Sequence, residues 1–264
     1  MGRSRVEGKK QSDDADEAIS QVVAKMRDLR RGIQKATGRV EEAWFGNLLL
    51  GILNCALLDC SSASVGAEKS VYLAAWACRN LLELRVITTY VLESEASALG
   101  FRNELAIDAK ELYEAMTRHH RASHKKLLSV LSEMSEQEQG PVKGILQQAL
   151  RNETERGAAT NATDSEAAIF RQLMSDFGLR DNAKPKRASH MARLIDQGEE
   201  FDPMFKICSK IMHRTVLSIA STITPGSIDA VIPVLSYSSA NDLLAIYGLI
   251  DAHFKKRGIR PPAA

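Results

Sequence analysis

The sequence predicts an all-α protein built as a helical bundle, and three observations predict it. Apolar residues recur at three- and four-residue spacing along most of the 264-residue chain. Aromatic residues are scarce at 5%, while Leu, Ala, Glu, Lys and Arg abound, a balance that favours helices over strands. No stretch alternates with period two for long enough to define a strand, and Ala230 to Val234 is the single candidate. At 44% hydrophobic and 26% charged residues, the composition is that of a soluble globular chain long enough for a substantial core.

Each element follows from its pattern. Residues 1–14 read as a disordered polar arm, and 15–264 as a single helical domain. Ile19, Val22, Met26, Leu29 and Ile33 place an amphipathic helix over Ala15 to Ala36, ended by Gly38. A very apolar helix follows from about Glu41 to Cys60, closed by the small-residue run SSASVGA. A third helix covers Lys69 to Ser94, and a long, charge-rich one covers Ala98 to about Met134. Ser135-x-x-Glu138 and Thr163-x-x-Glu166 are capping-box signals for two further helices separated by a polar loop. A short helix near Met191 to Ile195 precedes a loop at QGEEFDP, then a strong helix from Met204 to Thr222 ended by Pro225-Gly226. The last helix runs from about Ser239 to Lys256. The polar region 135–203 reads as an insertion or elaboration between two halves of one bundle.

The net charge of +2 does not by itself imply a nucleic-acid partner. Basic groups do gather at Arg3 to Lys10, Arg118 to Lys126, Lys184 to Arg193 and Lys255 to Arg260; such runs ordinarily form solvated faces or chain ends. The four cysteines form no CxxC pair, so neither a disulfide framework nor a zinc site is legible. No secretory signal opens the chain. The segment AWFGNLLLGILNCALLD is too short to span a bilayer and carries two asparagines, and Val71 to Leu92 has charges near its centre. The expectation is a cytoplasmic protein without a membrane partner.

The stretch WACRNLLELR, residues 76–85, puts Arg79, Asn80, Glu83 and Arg85 inside that apolar third helix. Burying an unpaired charge is costly, so each group needs a partner. Tyr72, Trp76, Arg79, Glu83, Ile87 and Tyr90 share one stripe, and Arg85 lies nearly opposite. Arg79 and Glu83 can pair at i,i+4, a contact contributing at most roughly 0.5 kcal/mol. Downstream, FKICSKIMHRTVLSIAS puts Phe205, Ser209, Met212, His213, Val216 and Ala220 on one helix face. A single His on such a face is ordinarily a satisfied core residue, but Ser209 one turn earlier suggests a network. The reading is a buried cluster of Arg79, Glu83, Ser209 and His213. Solvent access to Arg79 and His213 would favour chemistry or ligand binding, and a sealed cluster would favour structure.

LAAWACRNLLELRVITTYVLES, GFRNELAIDAKELYEAM and FKICSKIMHRTVLSIAS together resemble a bacterial family, domain of unknown function 5677. The shared elements are an Arg…Glu helix, a long helix opening with Phe101-Arg102, and a late Ser-x-x-x-His helix, over roughly 40–130 and 200–225. Where that family often has a Tyr before the Ser, Phe205 stands. More loosely the chain is similar to HEPN helical bundles, many of them metal-independent ribonucleases marked by Arg, four to six residues, then His. RHHRASH, from Arg118 to His124, has that spacing. The resemblance implies an arginine that stabilises charge on phosphate and a histidine that moves a proton. It also implies a bundle that dimerises. In this chain His119 replaces the polar residue usual after that Arg, and the motif lies deep in a long helix.

His120 and His124 at i,i+4 could clamp a metal, but no third ligand has matching spacing. Ser209 with His213 lacks a Gly-x-Ser-x-Gly elbow, and there is no GxGxxG or GxxxxGK[ST] loop, so no cofactor is implied. Three functional readings stand. One is a binding module for a nucleotide, small anion or protein partner, and one is a purely structural cluster in an interaction or homodimer bundle. The third is an RNA-cutting HEPN-like enzyme, a toxin or defence effector, using Arg79 and His213 or Arg118 and His124.

Overall fold

The structure, a computed structural model, describes residues 20–35, 43–133, 184–213 and 229–257, with isolated residues between 144 and 180. Described residues are 92% helical without a strand, so the protein is all-α. Seven helices can be named: α1 (20–35), α2 (Ala43–Lys69), α3 (Val71–Glu93), α4 (Glu95–Glu133), α5 (Ala188–Leu194), α6 (Gly198–Met212) and α7 (Ile232–Lys256). The polar arm, the two capping boxes and the segment 214–228 lie outside the described residues.

The chain forms two compact units, Met1–Ala98 with Arg187–Ala264, and Leu99–Lys186. In the first, α3 is the central helix and packs against α2, α5, α6 and α7. It begins where the Ser70 hydroxyl accepts the Leu73 N–H, and ends at Ser94, whose hydroxyl accepts the N–H of Ser97 in α4. α1 buries its spaced stripe of Val22, Met26, Leu29 and Ile33 and reaches α2 through an Arg30–Asn54 hydrogen bond. Val71, Ala74, Ala75, Cys78, Cys208, Ile211 and Leu235 form the core shared by α3, α6 and α7. In the second unit Ala106 and Ile107 of α4 pack with Met174, and buried Glu104 accepts the Lys186 backbone N–H at 3.0 Å. Residues 188–203, expected within the elaboration, are α5 and the first turns of α6 in the first unit.

Several helix ends differ from expectation, among them that of α6, which stops at Met212, where His213 turns to extended backbone, and not at Thr222. SSASVGA does not close α2: Ser61 and Ser62 bond back to the Leu57 and Leu58 carbonyls and stay helical. The helix therefore contains one stretch, Trp44–Ala67, long and apolar enough to cross a membrane by length and composition, longer than the segment AWFGNLLLGILNCALLD alone. QGEEFDP is not a loop. α5 ends at Leu194, the chain turns at Asp196 with φ +55, where Gln197 N–H bonds to Ala192 O, and α6 starts directly at Gly198. Pro203 removes one helical bond, but Phe201 is fully buried and Glu199 and Glu200 sit favourably in the first turn. Ala230 to Val234 forms a 3-10 turn and the start of α7, with Pro233 in the first turn, where a missing N–H is harmless.

Candidate functional site

All four polar groups of α3 find partners, each by a different route. Arg79 Nε donates to Glu83 Oε1 at 2.9 Å, and its guanidinium lies over the Phe205 ring, 4.4 Å from the centroid. That ring is stacked in turn on Phe201, so the arginine is held from α6 as well as from its own helix. Asn80 donates to Asp59 of α2 at 3.1 Å. Burial pushes the Asp59 carboxyl up, and the Asn80 bond pulls it partly back.

Arg85 joins three helices. Its Nη1 donates to both carboxylate oxygens of Glu200 on α6 at 3.2 Å, and its Nε lies 2.9 Å from Asp242 Oδ1 on α7. The latter is an ion-pair contact off the hydrogen-bond line, and Asp242 Oδ2 has no hydrogen-bond partner. Asp242 is 4% exposed, and its carboxyl is pushed up to about 7 by burial, against Arg85, with Glu200 adding to the rise. One turn before it, Ser239 is buried, with its hydroxyl beside the Cys78 thiol. Cys78 and Cys208 meet beside this cluster, and the contact with Cys78, together with burial, holds the Cys208 thiol well above the usual range.

The residues expected to form one buried cluster are distributed otherwise. Arg79 and Glu83 pair and are half-exposed, at 25% and 31% of their side chains. Ser209 is half-buried one turn beyond Phe205, but Phe205 is what the guanidinium covers. His213 is exposed and stands at the end of α6 with extended backbone, φ −76° and ψ 142°, its N–H bonded to Ser209 O. This corrects the picture of a buried imidazole. A residue at the helix cap leaves the stripe that continued helical spacing would assign to it. Arg118 is exposed and its Nε donates to Glu114 O, while His124 is half-buried on the same helix, α4. Six residues apart, the two point about 120° away from each other around the helix. The His120 side chain lies outside the described residues. Among the described residues no three His, Cys, Asp or Glu side chains gather to hold a metal ion.

Sequence reasoning missed Asp242, Asp59 and Glu200. Asp242 had a signal: a lone carboxylate among Leu235, Ser239, Leu243, Ile246 and Ile250 on an otherwise apolar face. Glu200 has none, because QGEEFDP by composition alone reads as a loop. Comparisons of the chain with protein-family models, curated proteins and solved structures find no match. The arginines of α3 are thus charge-compensated within the protein, Arg79 by Glu83 and Arg85 by Asp242 and Glu200. Beside them α3 exposes two large aromatics, Tyr72 at 37% and Trp76 at 41%, on the stripe that continues to Arg79.

Proposed function

We propose that the protein is a non-catalytic interaction module and that the α3 stripe Tyr72, Trp76 and Arg79, backed by Phe205, receives a protein partner. One observation carries this reading: two exposed aromatics lie one and two turns from an arginine fixed over a ring. Trp, Tyr and Arg are the residues that dominate binding energy at protein interfaces, most of all when already held in place. The compensated charge argues against a free anion or a nucleotide phosphate as ligand, because Glu83 already occupies Arg79 and would repel a second anion.

A photocrosslinking residue replacing Trp76 tests the proposal in the cells from which the chain comes. A discrete protein adduct that disappears when Arg79→Ala is added, and is not formed from Leu105 of α4, is the expected result. In parallel, the purified chain is incubated with labelled RNA in chelator. RNA cleavage abolished by His213→Ala or Arg118→Ala would replace this reading with the HEPN-like ribonuclease. A nucleotide that raises the melting temperature of the wild type but not of Arg79→Ala would replace it with nucleotide binding.

A further inference from the structure

Two of the four cysteines come together in the core of the first unit. Cys78 of α3 and Cys208 of α6 are both 0% exposed, and they share one cluster with Val71, Ala74, Ala75, Ile211 and Leu235. The register of the two helices sets them face to face. Arg85 meets Glu200 and Arg79 meets Phe205, so α6 runs antiparallel to α3, and the next buried pair along that register is Cys78 with Cys208. Small side chains at Ala74 and Ala75 let the helices approach, and their Cα atoms come within 8 Å, near the spacing that a disulfide spans.

The surroundings make the two sulfurs unequal. The Cys208 thiol and the Ser239 and Ser238 hydroxyls of α7 face Cys78 Sγ as hydrogen-bond donors. Together they hold the Cys78 thiol below its ordinary range, against burial and the charge of Asp242. Cys208 shares its proton with Cys78 and stays well above that range, although Arg79 pulls it the other way. Cys78 is thus the nucleophile of the pair, and Cys208 the thiol placed to close on it.

A notch between α2 and α7 leads toward this pair. Its volume of about 30 Å³ holds about two water molecules, and Leu81 and Ser239 are among its walls. Ser239 stands beside Cys78, and Leu81 lies one turn along α3 from it. Hydrogen peroxide, two bonded oxygens, fits such a space, and a larger oxidant does not. Cys60 also lines the notch, but burial holds its thiol above the usual range despite Arg27, which keeps it protonated and slow to react.

We propose that Cys78 and Cys208 are a peroxide-sensitive pair that closes into a reversible disulfide between α3 and α6. The Cys78 thiolate attacks one oxygen of hydrogen peroxide. An S–O bond forms, the O–O bond breaks, and the leaving hydroxide takes up the proton that Cys78 released, giving a sulfenic acid and water. The Cys208 sulfur then attacks Cys78 Sγ. The S–S bond forms, the S–O bond breaks, and the Cys208 proton leaves with the hydroxide as a second water. The two thiols lose two electrons and the peroxide gains them. A thiol reductant reverses the bridge by exchange.

Peptide mapping of the folded full chain after treatment with hydrogen peroxide tests this, with remaining thiols alkylated in denaturant before digestion. The expected product is a linked peptide joining Cys78 to Cys208, lighter by two hydrogen atoms than the reduced pair and released by dithiothreitol. In Cys208→Ser the reaction should halt at the Cys78 sulfenic acid, which dimedone labels, whereas Cys78→Ser should leave Cys208 unlabelled. The wild-type map carries the test if either variant fails to fold. Because the bridge closes a long loop, the oxidised chain should also unfold at a higher urea midpoint, and dithiothreitol should reverse the rise. Full alkylation of both cysteines after peroxide, bridges to Cys55 or Cys60 in equal yield, or a dimedone label on Cys60 with none on Cys78 would each overturn the proposal. So would a linked pair that forms in urea and not in the folded chain.

Discussion

At the scale of single residues, Arg85 and Asp242 dominate. A buried carboxylate without a cation would be expelled or protonated, and Asp242 is partly protonated even with Arg85 beside it. Because its folded pKa of about 7 lies above its unfolded value, the folded chain binds the proton more tightly. The stability this contributes is fully present below about pH 4 and is lost as pH rises through about 7. The melting temperature should therefore include a fall of several degrees across that window, and Asp242→Asn should remove most of it, as scanning calorimetry at several pH values would show. Substituting Arg85 by Met should cost about 3 kcal/mol above pH 8, where Asp242 must then take up a proton or bury its charge without a cation, and distinctly less near pH 5, where it is already protonated. Urea denaturation at the two pH values measures the difference. The Glu200 arm contributes little to this cost, since its side chain is 69% exposed.

At the scale of elements, the turn from α2 into α3 depends on Gly66. A Cβ there would stand 2.4 Å from Ala74 N and 2.8 Å from Ala74 Cα, both backbone atoms that cannot swing aside. Gly66→Val is expected to destabilise the first unit by about 1–3 kcal/mol or more, read as a lower urea midpoint, because α3 must shift away from α2. Gly51, with open space around it, should accept Ala without loss and serves as the control. The same turn explains why α2 outlasts the small-residue run: serine hydroxyls bonded to Leu57 and Leu58 and a glycine that fits the corner keep it helical to Lys69. α6 makes the complementary point. Its Pro203 argues locally for a break, and the full burial of Phe201 outweighs that local preference.

At the scale of the molecule, the first unit is organised around α3, whose inner residues Ala75, Ala77, Cys78, Leu81 and Val86 are at most 1% exposed. Amide exchange should be slowest there within this unit, between about Ala74 and Val86, and faster toward Ser94; hydrogen-exchange mass spectrometry gives the order. Much of this unit was legible in the sequence. The stripe of α1, the apolar runs of α2 and α3 and the Arg79–Glu83 pair follow from periodicity, which reports the face a helix must bury. Helix ends at Lys69, Gly198 and Ile232 were not legible, because Ser, Gly and Pro weaken a helix locally and only neighbouring helices decide whether it continues. The candidate site was half legible for the same reason. Spacing shows that α3 holds charges that require partners, and long-range packing alone selects Phe205, Asp59, Glu200 and Asp242 over Ser209 and His213.

The sequence by itself thus determined the all-α class and the need to neutralise the polar groups of α3, since these follow from local periodicity and the cost of buried charge. Only the tertiary structure decided which side chains answer that need and which face of α3 remains uncovered. Both depend on contacts between residues up to about a hundred and fifty positions apart, which helical periodicity does not encode.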